Sequence, residues 1–276
     1  MGGWALCLAI FRREQEMKIF MKRLTLALII LLSAGSLFFA VWSLLDIERE
    51  YQKGKETYRQ IEKEYIKELK EDPKGPQEDN PEARLTIDFE GLKAANPDII
   101  GWIEVAGAGI SYPLVQGNDN SYYLTHMSSG EYGIHGSIFM DCHNVPDFSG
   151  SNTIIYGHNM KDGTMFAALS EYQSPALYQQ YPYFYIYLPD GVLKYQIFSC
   201  YCGQIGSMGY TYAFPQKAAF QDFLDALQSY ASYGTGIQAG ITDHIVTLST
   251  CVNTDRDYRY LIHGKLICRK KEKEND

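Results

Sequence analysis

The longest apolar stretch of the chain lies near its N-terminus, between Leu24 and Leu45. It carries no charged residue, and as a helix rising about 1.5 Å per residue it would span roughly 33 Å. A bilayer core is about 30 Å thick, so the stretch predicts a transmembrane helix over residues 24–45. A cleaved signal peptide is the alternative. Its apolar region would be only about 7–15 residues long and would end at small residues, so the pattern favours an uncleaved anchor.

The charges on either side of this stretch predict its orientation. Lys18, Lys22 and Arg23 precede it, whereas Asp46 and Glu48 follow it. Because positively charged flanks remain in the cytoplasm, residues 1–23 are predicted to be cytoplasmic and everything after Leu45 extracellular. The expected location is the cell membrane, crossed once.

Residues 46–83 are dense in charge and are predicted to form an extracellular helical stalk followed by a linker. Two interpretations of the stalk remain open: a solvated spacer, and a helix that docks its apolar stripe on the following domain. Apolar and aromatic residues recur there at helical spacing, at Ile47, Tyr51, Tyr58, Ile61, Tyr65 and Leu69.

From residue 84 to residue 268 the hydrophobic pattern is that of a compact domain, and residues 269–276 form a charged tail. A short helix is predicted around 88–96, another over 165–169, and a stronger amphipathic one around 217–230. Many short strands with inserted helices predict a mostly β fold built as a closed eight-stranded barrel. The predicted strands are 99–105, 110–115, 137–140, 153–156, 183–188, 192–201, 244–250 and 259–267.

Composition narrows the possible partners. The formal charge of −8, from 25 Lys and Arg against 33 Asp and Glu, argues against a nucleic-acid-binding protein. No phosphate-binding loop, dinucleotide fingerprint or common zinc spacing occurs, so neither a cofactor nor a metal is predicted. Cys200 and Cys202 could offer two soft ligands, but strand packing is the simpler interpretation.

The cysteines also argue against a disulfide framework. Of the six, only Cys7 precedes the predicted membrane helix, which leaves an odd number outside the cell. An unpaired thiol outside the cell is open to oxidation unless it is buried, and an accessible one suggests a role in a reaction.

Two residues end predicted strands in positions suited to thiol chemistry. Cys251 follows the apolar run from His244, and His158 follows the run from Asn152. A nucleophilic thiolate needs a proton donor and acceptor and a fixed positive charge for the oxyanion. On spacing alone, however, any single cysteine or histidine is more often structural.

The segment Thr247-Leu-Ser-Thr-Cys251, followed by Arg259-Tyr-Leu-Ile-His-Gly-Lys-Leu266, resembles the signature of the sortase family. Tyr156-Gly-His158 resembles the histidine segment of that family. The entry segment from Asn96 to Trp102 and the helix before the Cys251 strand are most similar to class B. The resemblance covers roughly residues 84–268 and implies a sortase-type barrel.

The resemblance also implies roles for individual residues. Cys251 would be the nucleophile, His158 the general acid and base, and Arg259 the ligand of the oxyanion, with Arg256 as the rival arginine. The residues expected to bind substrate are Asn120, Leu124, Tyr156, Ser249 and Thr250.

The implied function is that of a membrane-anchored transpeptidase. It would cut the sorting signal of a secreted protein after threonine and join the protein, through a thioester, to an amine of peptidoglycan or of its lipid-linked precursor. Three alternatives are a pilus-assembling sortase, a secreted cysteine hydrolase and a membrane-tethered β-barrel binding module. No cofactor is required by this chemistry.

Overall fold

The computed structural model describes residues 3–68 and 85–271. The chain divides into two compact units, with bounds at Met1–Glu50 and Tyr51–Asp276. The predicted linker and the position of Leu69 lie outside the described residues, as does the end of the charged tail.

The first unit is helical. Helix α1 spans Gly3–Tyr65, and the apolar side chains of its central part are exposed, as at Leu31 and Phe39. The segment Arg12–Tyr65 is long and apolar enough to cross a membrane by length and composition, with a mean hydropathy of 2.5 in its most apolar window. Ser33 donates its hydroxyl to the carbonyl of Ile29, so the polar side chain is satisfied within the helix.

The second unit contains a closed eight-stranded barrel with the strand order β10-β8-β7-β3-β4-β5-β6-β9. The predicted mostly β, barrel-type fold is therefore confirmed. A separate two-stranded sheet pairs β1 (Ile66–Glu68) with β2 (Leu85–Ile87). The barrel strands are β3 (Ile99–Val105), β4 (Ile110–Val115), β5 (Ile138–Met140), β6 (Asn152–Tyr156), β7 (Tyr183–Leu188), β8 (Gly191–Gln204), β9 (Ile245–Val252) and β10 (Asp255–Lys271).

Two features of the barrel's pairing position the functional site. Most neighbours are antiparallel, but β6 runs parallel to β9 and β4 runs parallel to β5. Strand β9 thus lies between a parallel partner, β6, and an antiparallel partner, β10. Inside the barrel, fully buried aliphatic and aromatic side chains such as Ile103, Phe184 and Leu248 form the core.

Helices cover parts of the barrel. Helix α2 (Phe89–Ala95) begins after Asp88, whose carboxylate accepts the backbone N–H of Gly91 at 2.9 Å. Helix α3 spans Pro175–Gln180, and α4 spans Lys217–Tyr230. The apolar stripe of α4 is buried as its periodicity predicts, at Phe220, Phe223, Leu224 and Leu227.

The short helix expected over residues 165–169 is displaced. A 3₁₀ helix spans Ala167–Gln173 instead. The cause is Met165, whose φ of 58° lies in the left-handed region that a right-handed helix cannot include.

The last turns of α1 pack on the barrel, so the stalk docks on the domain rather than acting as a solvated spacer. Tyr58 is 7% exposed, and its hydroxyl donates to the carbonyl of Gly136. Tyr51 and Ile61 pack against the barrel core, and Tyr65 packs against a neighbouring cluster beside α2. These turns of α1 accordingly belong to the second compact unit, which begins at Tyr51.

Candidate active site

A groove of about 480 Å³ opens where β6, β9 and β10 meet. All eight side chains predicted to act in catalysis or substrate binding line it. Its wall is formed by Asn120, Leu124, Phe139, Asp141, His143, Tyr156, Gly157, His158, Ile205, Gly206, Tyr210, Tyr212, Ser249, Thr250, Cys251 and Arg259.

The parallel pair β6–β9 brings His158 and Cys251 to the same end of the barrel. Tyr156 is paired with Ser249, and Gly157 donates its backbone N–H to the carbonyl of Ser249 at 3.1 Å. Because both strands run in the same direction, His158 and Cys251 each follow this pair by two residues. Both are half-buried, so each is held by the protein and open to the groove.

Asn159 fixes the end of β9 from the neighbouring loop. Its side-chain amide donates to the carbonyl of Cys251 at 2.7 Å. Asn159 carries no signal in the sequence, because only the pairing of two remote strands gives it this role. The bond holds the backbone of the predicted nucleophile against the segment that carries the predicted base.

Two further contacts hold His158. Its backbone carbonyl accepts the N–H of Phe166 at 2.9 Å. Its ring Nε2 lies 2.7 Å from the carbonyl oxygen of Leu124, an acceptor only, so Nε2 carries the proton. The neutral ring then presents its lone pair at Nδ1 and can take up a second proton there.

Strand pairing separates the two candidate arginines. Arg259 on β10 is paired directly with Cys251 on β9, and it lines the groove. Its guanidinium donates to the carbonyls of Arg256 and Tyr258, each at 2.8 Å, which restrains its position. Arg256 is exposed and contributes no side chain to the groove wall.

Asp141 holds two other residues of the groove wall in place. Its Oδ2 accepts the amide of Asn120 at 2.8 Å and the hydroxyl of Tyr156 at 2.9 Å. Burial would raise the pKa of this carboxyl, but hydrogen bonds from His143, Tyr156 and Asn120 outweigh it and hold the pKa below its usual value. Asp141 was missed from the sequence, although it follows β5 as His158 follows β6.

Ser249, two residues before Cys251, contacts a tyrosine in the segment between β8 and α4. The hydroxyls of Ser249 and Tyr210 lie 2.8 Å apart, and burial raises the pKa of Tyr210. Thr250, also predicted to bind substrate, is only 1% exposed. Of the predicted binding residues, Leu124 is the most open, at 41%.

Beneath the groove a buried polar chain ties three strands together. His263 Nδ1 lies 2.9 Å from the hydroxyl of Thr247, which itself donates to Asn152 at 2.8 Å. The Asn152 amide in turn donates to the carbonyl of Thr211, in the loop that carries the groove-lining tyrosines. Burial lowers the pKa of His263 to about 3, so this histidine is a neutral structural group.

The five cysteines whose side chains are described, at positions 142, 200, 202, 251 and 268, are all free thiols. Burial raises the pKa of Cys200 to about 12, which makes it inert. Cys202 is exposed at the end of β8, outside the groove wall.

Residues 103–267 match the sortase domain family, and the chain therefore belongs to the sortase family. Its relatives are of class B, and members of the family are cysteine transpeptidases. The chain is 35% identical to sortase B of Listeria monocytogenes over 195 residues, covering 69% of this chain and 78% of the relative. It is 32% identical to sortase B of Staphylococcus aureus over 181 residues, covering 65% and 74%.

Solved structures give the same result. The S. aureus sortase B–substrate complex is 32% identical with a TM-score of 0.62, and the match covers 65% of this chain and 84% of that one. Sortase B from Bacillus anthracis is 31% identical with a TM-score of 0.67, covering 80% of this chain and 99% of that one. Another related structure is described as sortase B complexed with Gly3.

Proposed function

We propose that this chain uses Cys251, His158 and Arg259 to transfer a secreted protein from its sorting signal to an amine. The observation that carries the proposal is the position of Cys251 on β9, with His158 following parallel β6 on one side and Arg259 on antiparallel β10 on the other. Cys251, His158 and Arg259 all line the same groove, which supports these roles.

The reaction proceeds in two stages. The thiol of Cys251 first gives its proton to His158. The resulting thiolate attacks the carbonyl of a threonine, and Arg259 stabilises the oxyanion that forms. His158 protonates the leaving amine, which breaks the peptide bond and leaves a thioester. An incoming amine then attacks the thioester, gives its proton to His158 and releases the thiolate of Cys251.

The sorting signal binds along the groove, against Asn120, Leu124, Tyr156, Ser249 and Thr250. Asn120 and Tyr156 are held by Asp141, so they present fixed polar groups to a peptide backbone. The acceptor is an amine of peptidoglycan or of its lipid-linked precursor. The related complexes with a substrate and with Gly3 support a peptide donor and an amine acceptor of this kind.

The enzyme works outside the cell, anchored by residues 24–45, with residues 1–23 in the cytoplasm and residues 46–83 as the extracellular connection to the catalytic domain at 84–268. Residues 269–276 are its charged tail. The length of the apolar segment and the basic residues before it support this orientation.

Product analysis tests the proposal. The full chain in detergent is incubated with threonine-containing peptides and candidate amines, and the products are identified by mass spectrometry. We expect an amide between the threonine and the added amine, together with a thioester on Cys251. Cys251→Ala should form neither, and Cys202→Ala, which removes an exposed thiol outside the groove, should form both.

Each alternative gives a different result. Hydrolysis without amide formation at any amine concentration would identify a cysteine hydrolase. A preference for lysine side chains of a protein acceptor would indicate pilus assembly. If the wild type and Cys251→Ala both bind the peptide and neither cleaves it, the chain is a binding module.

A further inference from the structure

Three consecutive residues at the rim of the groove carry three different metal-ligating atoms. Asp141, Cys142 and His143 directly follow β5, and their carboxylate oxygen, sulfur and ring nitrogen all lie within 4.8 Å of one another. The sequence predicts no metal here, because these residues match no common zinc spacing. It is the turn after β5 that brings the three atoms together.

Their separations approach those of a tetrahedral zinc site. With bonds of about 2.3 Å to sulfur and about 2.0 Å to nitrogen, tetrahedral zinc holds sulfur and nitrogen roughly 3.5 Å apart. Cys142 Sγ lies 3.5 Å from His143 Nδ1. His143 Nδ1 lies 2.8 Å from Asp141 Oδ1, so this pair needs to open by only about 0.5 Å.

The surrounding contacts hold these ligands in place. Asp141 Oδ2 already accepts from Asn120 and Tyr156, which orients the carboxylate and leaves Oδ1 facing His143. The backbone N–H of Cys142 donates to Asn120 at 2.8 Å. The His143 ring stacks on Tyr212, with ring centres 5.6 Å apart. Outer contacts of this kind orient ligands in known metal sites.

We propose that Asp141, Cys142 and His143 bind a divalent transition-metal ion, with Zn²⁺ as the preferred ion, and that the bound ion blocks the groove. A thiolate, an imidazole and a single carboxylate suit Zn²⁺, whereas Ca²⁺ and Mg²⁺ require oxygen ligands. On binding, the Cys142 thiol releases its proton to solvent and its sulfur bonds the metal. His143 gives up the hydrogen bond from Nδ1 to Asp141 and bonds the metal through Nδ1, with the ring proton on Nε2.

The blocking role rests on the proposed function of the groove. Asp141 and His143 line that groove, whereas Cys142 between them does not, so a metal bound by all three would lie at the rim of the groove. Its fourth ligand would then project toward the path of the sorting signal. The same carboxylate holds Asn120 and Tyr156 through its Oδ2, so the metal on Oδ1 would lie beside two residues that are proposed to bind the peptide. Metal binding and peptide binding should therefore exclude each other.

Cobalt absorption tests the site without relying on activity. The full chain with Cys251→Ala, in detergent, is titrated with Co²⁺, and the near-ultraviolet band of a cobalt–thiolate bond is recorded. We expect this band to appear with one equivalent bound and to disappear when Zn²⁺ is added. Adding Cys142→Ser should abolish the band, and adding His143→Ala should weaken binding at least about tenfold.

The matched control is Cys202→Ser, which removes another accessible thiol and should leave the band unchanged. A band that survives Cys142→Ser, or one lost in Cys202→Ser, would overturn the site. Circular dichroism of each variant separates lost binding from lost folding. The readout is the cobalt–thiolate bond and not enzymatic activity. The metal site can therefore be tested even if the proposed transpeptidase function is wrong.

The blocking role has its own test in the chain with Cys251 intact. Zn²⁺ should inhibit amide formation, and Cys142→Ser should raise the inhibitory concentration at least about tenfold, whereas Cys202→Ser should not change it. Equal sensitivity of the wild type and Cys142→Ser would show that zinc acts elsewhere, for example on Cys251, and would overturn the blocking role.

Discussion

The groove and the surface on which α1 docks both contact the segment that follows β6, yet they are built differently. In the groove, His158 is half-buried and hydrogen-bonded to Leu124. Under α1, His135 is 1% exposed and lies 3.5 Å from Asp162, whose carboxylate also meets Lys55 at 3.2 Å. One histidine is kept accessible by a specific bond, and the other is covered by a helix.

Within the short segment after β6, His158 therefore belongs to the groove, whereas Asp162 belongs to the docking surface. Substitutions in the two regions should have different effects. Groups in the groove are held by a few hydrogen bonds and leave a face open, so replacing them should change the chemistry more than the fold. The docking surface buries aromatic side chains such as Tyr58, so replacements there should change the free energy of unfolding first.

His158→Ala is the strongest test of the groove. We expect amide formation to fall by about 10²–10⁴-fold because the leaving and incoming amines lose their proton carrier. Thermal unfolding should change little, since the side chain is half-buried. Alkylation of Cys251, mapped by peptide mass spectrometry, should still occur. Near-normal amide formation would assign the proton transfers to another group.

Truncation is the strongest test of the docking surface. A fragment of residues 46–276 keeps the docked part of α1, whereas a fragment of residues 85–276 loses its aromatic stripe. Each large apolar side chain buried contributes about 1.5–3 kcal/mol, so the shorter fragment should be less stable by about 5 kcal/mol or more. Urea unfolding and solubility measure the difference. Equal stability of the two fragments would mean that docking contributes nothing.

Arg259→Lys should lower kcat by about 10²-fold, because lysine offers a point charge where arginine offers several fixed donors. Arg256→Lys is the matched control and should retain wild-type kcat, since Arg256 is exposed and outside the groove wall. Steady-state kinetics with a saturating amine measures both variants. The reverse ranking would transfer the oxyanion role to Arg256.

Gly54→Ala should destabilise the docked helix. Alanine in a helix is normally more favourable than glycine by about 1 kcal/mol. Here, however, a Cβ at residue 54 would overlap the ring of His135, and overpacking costs about 1–3 kcal/mol. We expect a net loss of about 1 kcal/mol in urea unfolding. Gly234→Ala, where nothing lies within 4 Å of an added Cβ, should not show this loss.

An effect seen only in acid concerns the stability contributed by His135. Burial lowers the pKa of this histidine, and the Asp162 carboxylate opposes the shift only in part. As pH falls below about 6.5, the unfolded chain takes up this proton before the folded chain does, and stability is lost by at most about 1.4 kcal/mol per pH unit. His135→Gln should flatten this slope between pH 6.5 and 5. An unchanged slope would exclude His135 as a source of acid sensitivity.

Much of the barrel is predictable from the sequence because its strands carry strong local patterns. The bounds of β3, β4 and β7 match the hydrophobic runs residue for residue. Strands β8 and β10 run further than predicted, because they pair with each other beyond the apolar part of each run, out to Gly191 and Lys271. Backbone pairing supports these polar ends where side-chain patterning gives no signal.

The site is predictable to the extent that strand ends carry reactive side chains. Cys251 and His158 show this signal, and the family resemblance adds Arg259 and the binding residues. Asp141 and Asn159 could not be found in this way, because their roles arise from contacts with Tyr156 and Cys251, which follow only from the pairing of distant strands.

The parallel pairing of β6 with β9 also has a kinetic consequence. Asn159 and Cys251 are 92 residues apart in sequence, and the segment between them includes β7, β8 and α4. Contacts between such distant residues require closure of a long loop, which is slow compared with hairpin formation. During synthesis, which begins at the N-terminus, His158 therefore emerges well before Cys251. If these residues act as proposed, the chain is inactive until β9 pairs with β6, and amide formation should recover during refolding only when the barrel closes.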